Sequence, residues 1–268
     1  PIPVPPLPEQ RRIVAILDET FEGIAAAVAN AEKNLANARE LFEIYLNSVF
    51  TQKGEGWVEK KLGDIATFKN GLNFTKNSKG ELIKIVGVKD FQNDFFVPVS
   101  KLETVRIDGQ LGTDYELQSG DILTVRSNGN KQLIGRCILA DGVPKKTSHS
   151  GFTIRIRVRS NDTNPAYLVH FLKSKTSRER LIESGDGANI SSLNQQALSG
   201  LPINLPPLAE QPVIVKKIDA IDAESKRLEA IYQQKLAALA ELKQAILQKA
   251  FAGELTSAPE KALSEAVA

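Results

Sequence analysis

Three short stretches of the chain place cations, side-chain amides and glycine side by side. They are Lys69-Asn70-Gly71-Leu72-Asn73-Phe74-Thr75-Lys76, Arg126-Ser127-Asn128-Gly129-Asn130-Lys131 and Lys145-Lys146-Thr147-Ser148-His149. Lys and Arg neutralise phosphates, while Arg, Asn and Lys can address base edges in a major groove. Glycine lets backbone come close to a ligand. This is the chemistry of holding a polyanion rather than of making or breaking bonds. Each stretch taken singly also reads as an ordinary polar turn; their occurrence together in one region favours nucleic acid. Arg155, Arg157 and Arg159 alternate and therefore share one face of a strand, which reads as an exposed polar face.

Catalytic chemistry is hard to find. Two histidines, His149 and His170, and the single Cys137 are too few for a Cys/His zinc site. No G-x-x-x-x-G-K-[ST] phosphate loop and no G-x-G-x-x-G after a strand occurs. Gly185-Asp186-Gly187 follows a helical pattern and reads as a mobile loop. Asn204-Leu205-Pro206-Pro207 lacks the aromatic residue and the order of the amino-methyltransferase motif it superficially resembles. Ser127 and Ser148 have no local nucleophile signature, and His149, in a Lys-Lys-Thr-Ser-His-Ser run, reads as a solvated loop histidine. Carboxylate pairs such as Glu81 and Asp90 are ordinary for a strand-rich surface. No catalytic residue, metal or cofactor is expected.

Charge sharpens the reading. Residues 56–200 carry 21 basic and 15 acidic side chains, against 5 and 8 in residues 1–55 and 8 and 9 in residues 201–268. The basic middle suits a polyanion partner. The lone cysteine excludes an internal disulfide and fits a reducing, cytoplasmic setting. No run approaches eighteen apolar residues, so no membrane span is expected, and no secretory signal is visible.

The elements that must position these stretches follow from a repeat. Pro5-Pro6-Leu7-Pro8-Glu9-Gln10 recurs as Pro206-Pro207-Leu208-Ala209-Glu210-Gln211, and the offset of 201 holds without a gap from Pro5 to Phe50. Identical pairs include Ile13/Ile214, Asp18/Asp219, Leu41/Leu242 and Phe50/Phe251. Two copies of one element therefore bracket a different middle. Residues 9–51 carry an uninterrupted heptad seam from Val14 to Val49, which predicts one helix roughly 65 Å long. Residues 210–251 give a second helix, with Ser225 and Lys235 as weak points in its stripe. The Ser/Ala/Pro/Glu tail from residue 256 is expected to be disordered. Between the helices, the runs Leu82–Val88, Asp121–Val125, Leu133–Leu139 and Phe152–Val158 read as strands separated by Asn-Gly, Lys-Gly and Asp-Gly turns. Pro165–Glu183 reads as a helix and Ser191–Leu198 as a short one. The expected architecture is α+β: one globular domain with a twisted β-sheet and short helices, inserted between two long helices that form an antiparallel coiled coil.

The arrangement resembles the DNA-specificity subunit of type I restriction–modification systems. The doubled Leu-Pro-Pro-Leu-x-Glu-Gln-type openings carry the resemblance. So do Trp57-Val58-Glu59-Lys60-Lys61-Leu62-Gly63-Asp64-Ile65 and Gly120-Asp121-Ile122-Leu123-Thr124-Val125-Arg126. Leu201-Pro202-Ile203-Asn204-Leu205-Pro206-Pro207-Leu208 and the ending Ala245-Ile246-Leu247-Gln248-Lys249-Ala250-Phe251-Ala252-Gly253-Glu254-Leu255 complete it.

The resemblance implies that residues 57–205 are a target-recognition domain, that residues 1–56 and 206–255 are conserved spacer helices, and that residues 256–268 are a tail. It implies a subunit with no chemistry of its own, which reads one half of a split double-stranded DNA target and docks methyltransferase and restriction/translocase subunits. Members of that family usually have two recognition domains. The single one here reads as a half-size subunit or a fragment, and the half-size form is favoured because Pro1 suits a residue exposed after Met removal. Self-association of two stalks about a two-fold axis, or cover by a methyltransferase, would bury the surplus seam. The expected DNA contacts are Lys69, Asn73, Lys76, Arg126, Asn128, Asn130, Lys131, Lys145, Lys146 and His149. The rival reading is a coiled-coil scaffold whose head binds protein.

Overall fold

The structure, a computed structural model, describes residues 4–52, 54–92, 95–183 and 192–256. The Gly185-Asp186-Gly187 loop, Ser191, and residues 257–268 of the expected tail lie outside the described residues. The chain forms two compact units, Pro1–Phe42 with Ile221–Ala268, and Glu43–Ala220.

The first unit is a pair of antiparallel helical segments, from α1 (Leu7–Thr51) and α6 (Gln211–Ala252). Pro8 suits the first turn of α1 because the N–H it lacks has no helical partner there, and Glu9 meets the positive end of the helix dipole. Ile24, Ala31 and Ala38, spaced by seven residues, are buried, as a heptad seam requires. The small Ala side chains let the helices approach closely. The antiparallel direction is fixed by named pairs: Arg39 Nε donates to Glu229 Oε2 at 2.8 Å, and Lys243 Nζ stands 5.2 Å from the Phe21 ring centroid. Ser225, a weak point in the apolar stripe, is buried and donates its hydroxyl to the Ala38 carbonyl. A polar seam residue is thereby satisfied instead of interrupting the pairing.

The second unit holds the sheets. β1 (Val58–Lys61) pairs antiparallel with β9 (Pro202–Leu205), so the chain enters and leaves this region through adjacent strands. The antiparallel sheet β2-β8-β5-β6 joins Ala66–Asn70, Thr153–Val158, Ile122–Val125 and Cys137–Leu139. A third group, β4-β3-β7, joins Glu103–Arg106, Leu82–Val86 and Thr147–His149, with β3 and β7 parallel. β5 is buried at every position, which explains its continuous Ile-Leu-Thr-Val run: a strand covered on both faces has no reason to alternate. Its Leu123 and Val125 join Val86, Phe91, Val97 and Ile138 in the main core.

The predicted helix over 165–183 is two helices. α3 (Pro165–Lys173) starts on Asn164, whose side chain accepts from Ala166 N at 2.8 Å, and it ends at Ser174 in extended conformation. α4 (Lys175–Glu183) follows at once. Ser174 donates to the Phe171 carbonyl and takes the Ser177 amide, while Asn47 Oδ1 of α1 accepts from Lys175 N at 2.8 Å. Ser and Asn side chains here offer the backbone better partners than a continued helix would. The run Leu133–Leu139 is also broken. A 3-10 turn over Lys131–Leu133 and Gly135 at φ +79° precede a three-residue β6. α2 (Leu62–Ile65) is a single turn after β1, and α5 (Gln195–Gly200) starts later than expected because Asn194 caps it through Ala197 N at 2.7 Å.

Phe50 at the end of α1 inserts edge-on between Tyr167 and Phe171 of α3, with ring centroids 5.3 and 5.6 Å away. Burying such a ring contributes roughly 1.5–3 kcal/mol. At the start of α6, buried Gln211 acts as a fork. Its Nε2 donates to the carbonyls of Pro206 (3.0 Å) and Asp162 (2.7 Å), and its Oε1 accepts from Asn164 N at 2.6 Å. The repeat's two ends thus grip α3 and its cap.

Candidate nucleic-acid interface

Two of the three cation-and-amide stretches are clamped to one tight turn. Residues 149–153 link β7 to β8, and Thr153 closes the turn by donating N–H and Oγ1 to the Ser150 carbonyl at 2.9 and 2.8 Å. On one side, Gly71 N donates to Thr153 O (3.1 Å), Leu72 N to His149 O (2.8 Å) and Gly151 N to Leu72 O (2.8 Å). Gly71 has to be glycine, because a Cβ there would lie 2.2 Å from the Ser150 carbonyl oxygen. On the other side, Arg126 N donates to Phe152 O at 2.8 Å. The segment after the undescribed residues 184–191 ties both: Leu193 N donates to Arg126 O at 2.7 Å and Gln195 Nε2 to Asn70 Oδ1 at 3.1 Å.

Within this frame the side chains differ in what they are free to do. Asn73 and Lys76 are exposed, and Lys76 lines an open groove with Lys79 and Arg106. Arg126 and Asn128 are half-buried, and Asn130 and Lys131 exposed. The carbonyl oxygens of Asn128 and Asn130 are already engaged, accepting from Asn130 N (2.8 Å) and Gln132 N (3.0 Å). Such Asx turns stiffen the loop and leave the amide N–H groups to point elsewhere. Lys69 Nζ is 3.2 Å from Asp114 Oδ2 and 4.0 Å from the Tyr115 ring centroid, so its charge is partly used.

The third stretch runs into the same turn at His149, but its two lysines are not brought there. Lys145 and Lys146 lie at the opposite end of β7 from the turn. Lys145 is exposed. Lys146 sits in left-handed backbone at φ +58°, its N–H donates to Glu116 Oε1 at 2.7 Å, and its ammonium pairs with Glu81 at 2.7 Å. That pairing raises its pKa.

His149 corrects the sequence reading. It lies in β7, fully buried, with Nδ1 2.9 Å from Thr153 Oγ1. Thr153 Oγ1 spends its proton on Ser150 O, so the bond to His149 fixes Nδ1 as the protonated nitrogen. Burial first, and then the charges of Arg155, Arg157 and Lys69, push its pKa down to about 3. It is a neutral interior group, and its ring reaches no surface on which it could meet DNA.

The Arg face of β8 is corrected as well. Arg155 is buried, donating from Nη1 to Asp114 O at 2.7 Å, and Arg157 forms a two-bond fork with buried Asp121, both at 2.6 Å. Loop 113–121 lies over this face. Arg159 donates to the Gly63 carbonyl at 2.8 Å. Arg155 and Arg157 thus build the scaffold under Lys69, whereas Arg159 stays exposed as the sequence reads.

Sequence reasoning missed two features. Phe152 is 62% exposed on the clamping turn, where it had read as the first residue of a strand. Arg136, Lys173 and Arg178 line a pocket of about 260 Å³ beside β6 and the α3–α4 break. The only signal for that pocket was the cation spacing along a helix that the structure divides.

Comparison with known proteins gives one consistent result. The family described as type I restriction modification DNA specificity domain matches residues 54–237. The specificity subunit of the type I restriction enzyme StySPI of Salmonella potsdam is 27% identical over 272 residues, which is 96% of this chain and 58% of that protein. The EcoKI specificity subunit of Escherichia coli (strain K12) is 29% identical over 285 residues, with the same shares covered. In fold, a chain from a structural study of complex assembly and conformational transition in a type I R-M system matches with a TM-score of 0.76 at 24% identity, over 95% of this chain and 62% of that one. The HsdS subunit from Thermoanaerobacter tengcongensis matches with a TM-score of 0.61 at 24% identity, over 95% and 60%. The chain therefore spans about three fifths of the relatives it matches.

Proposed function

The chain belongs to the type I restriction modification DNA specificity domain family, and from that premise we propose that it reads one half of a bipartite double-stranded DNA target without doing chemistry itself. Residues 57–205 supply the reading domain. The helices on either side set the distance to the second half-site and dock the methyltransferase and restriction subunits. The observation that carries this reading is the clamp: loops 69–76 and 126–131, each with cations and amides, are fixed to one turn by backbone hydrogen bonds. Fixed donors on a rigid frame are what base readout requires.

Methylome sequencing of cells carrying the chain with a partner methyltransferase tests the proposal. A split motif is expected. Arg126→Ala should relax one position of it, and Lys145→Ala should lower affinity evenly and reduce the salt slope by about one. Charge reversal at Lys69, Arg126 and Lys145 together that leaves the methylated motif unchanged would refute the DNA assignment and favour the scaffold reading.

The repeat supports the bipartite part. Phe50 and Gln211 both grip the domain, and their repeat equivalents are Phe251 and Gln10. Phe251 is 67% exposed, and among the described residues the Gln10 side chain keeps only the bond to Pro5 O (2.8 Å) that matches Gln211 to Pro206. In the second copy of the repeat the two gripping positions are thus open to a further partner. Self-association through the helices is one way to bring two reading domains to one DNA. Light scattering at micromolar concentration should then give twice 29.2 kDa; a clean monomer overturns self-association and leaves half-site reading intact.

A further inference from the structure

Phe152 is the one large apolar side chain that loops 69–76, 126–131 and 145–150 and the turn joining them leave strongly exposed, among the described residues. Its position is not loose. The turn is closed by both bonds from Thr153 to the Ser150 carbonyl and braced by the His149 ring on Thr153. The carbonyl of Phe152 itself accepts from Arg126 N at 2.8 Å and from Ser127 N at 3.3 Å. Gly151 is pressed against loop 69–76, since a Cβ there would lie 2.1 Å from Asn73 Oδ1. The backbone carrying the ring is therefore held from both reading loops, with Asn73 on one side and Arg126 on the other. An aromatic side chain has few torsions to freeze, so one on fixed backbone binds at small entropic cost.

The surroundings select the partner. Apolar anchors of protein interfaces sit in clusters ringed by other contacts that exclude water. Here the loop residues tied to the turn are Asn73, against Gly151, and Arg126 and Ser127, bonded to Phe152 O; Leu72 and Phe74 of the same loop as Asn73 are packed inward, and the other exposed apolar side chains of the second unit, such as Val58, Leu82 and Phe96, belong to other segments. A single apolar group among cations and amides matches a major-groove edge. There, phosphates and base acceptors lie beside one apolar feature, the C5-methyl of thymine.

We propose that Phe152 is a specificity residue that packs on a thymine C5-methyl in the half-site, so that it distinguishes thymine from cytosine and uracil at one position. The inference rests on the DNA-reading function proposed above. Asn73 and Arg126 address neighbouring base edges, and Phe152 supplies the contact that hydrogen bonds cannot make, since uracil and thymine present the same donors and acceptors.

The test uses the full chain with its methyltransferase partner. The methylome of the wild type defines the motif, and duplexes carrying it are then made with each thymine replaced in turn by deoxyuridine. Wild-type binding is expected to weaken roughly tenfold at one thymine of the half-site and to be indifferent at the others. Phe152→Ala should bind thymine and deoxyuridine duplexes equally at that position, and its methylome should become degenerate there alone. Phe152→Leu, which keeps an apolar group, should retain part of the preference. Indifference of the wild type to every replacement overturns the proposal, and needs no variant to fold. An unchanged motif in Phe152→Ala also overturns it. So does loss of methylation with duplex affinity unaltered, which would assign Phe152 to methyltransferase docking. A wild type that yields neither a methylated motif nor salt-dependent duplex binding would instead remove the DNA-reading function itself.

Discussion

Acidification from pH 7 to pH 4.5 is expected to cost the sheet-bearing unit roughly 2–3 kcal/mol of folding free energy through His149 alone. In the unfolded chain this imidazole takes up a proton near its ordinary pKa of about 6.5. In the fold it resists protonation down to about 3, because it is buried and because Arg155, Arg157 and Lys69 are the charges around it. The folded value lies below the unfolded one, so below about pH 6.5 the unfolded state binds the extra proton. Stability from the neutral ring is complete above that pH and is lost as pH falls toward 3, at about 1.4 kcal/mol per unit. Carboxylates titrate over part of the same range, so the comparison must be with a variant. Urea denaturation of the native chain and of His149→Gln at pH 7 and pH 4.5 isolates the contribution. The native chain should lose more stability than the variant by the stated amount, and equal losses would show that the ring is accessible to solvent protons. The histidine thus braces the 149–153 turn through Thr153 and carries no positive charge at neutral pH.

The long elements were legible because their determinants are local. A heptad seam forces a long helix, and a gapless repeat forces two of them, whatever lies between. Strands β3, β5 and β8 were visible from their apolar runs and the turns that bound them. What escaped was decided by tertiary cover. The alternation of Arg155 and Arg157 marks one face of β8 correctly, but sequence does not say whether that face meets water or loop 113–121. The Lys-Lys-Thr-Ser-His-Ser run looks solvated by composition, yet β7 lies inside because β3 pairs with it and loop 113–121 bonds to Thr147 and Ser148. The break after Ser174 depends on Asn47, 128 positions before the Lys175 whose N–H it accepts. At the candidate interface, residue types pointed to nucleic acid, whereas the allocation of roles did not follow from them. Asn128 and Asn130 spend their carbonyls on the loop, Lys69 and Lys146 spend part of their charge on Asp114 and Glu81, and Phe152 stands out only once its backbone is seen to be clamped.

Replacing Asp121 with Ala should destabilise the same unit by about 3 kcal/mol, the largest loss expected from one substitution in the scaffold of the interface. Its carboxylate is 1% exposed and accepts three hydrogen bonds: two from Arg157 at 2.6 Å and one from Gln118 N at 2.8 Å. Truncation leaves the Arg157 guanidinium beside buried Arg155 without the carboxylate that raises its pKa. An unpaired buried charge costs about 3–5 kcal/mol, and the low end applies because 27% of the Arg157 side chain is open to water. A cycle with Arg157→Met separates the pair from its parts. If repulsion left behind is the main cost, the double variant should recover much of the loss, because removing both charges removes the need for either. A loss below about 1 kcal/mol for Asp121→Ala would place the pair among surface ion pairs and remove it from the scaffold. The effect should extend to recognition, since Arg157 and Arg155 hold the carbonyls of Glu116 and Asp114, in the loop whose Asp114 and Tyr115 position Lys69. Loosening that loop frees Lys69 to sample more orientations. Asp121→Ala should therefore weaken DNA binding at temperatures where the domain is still folded, through a residue that itself touches no DNA.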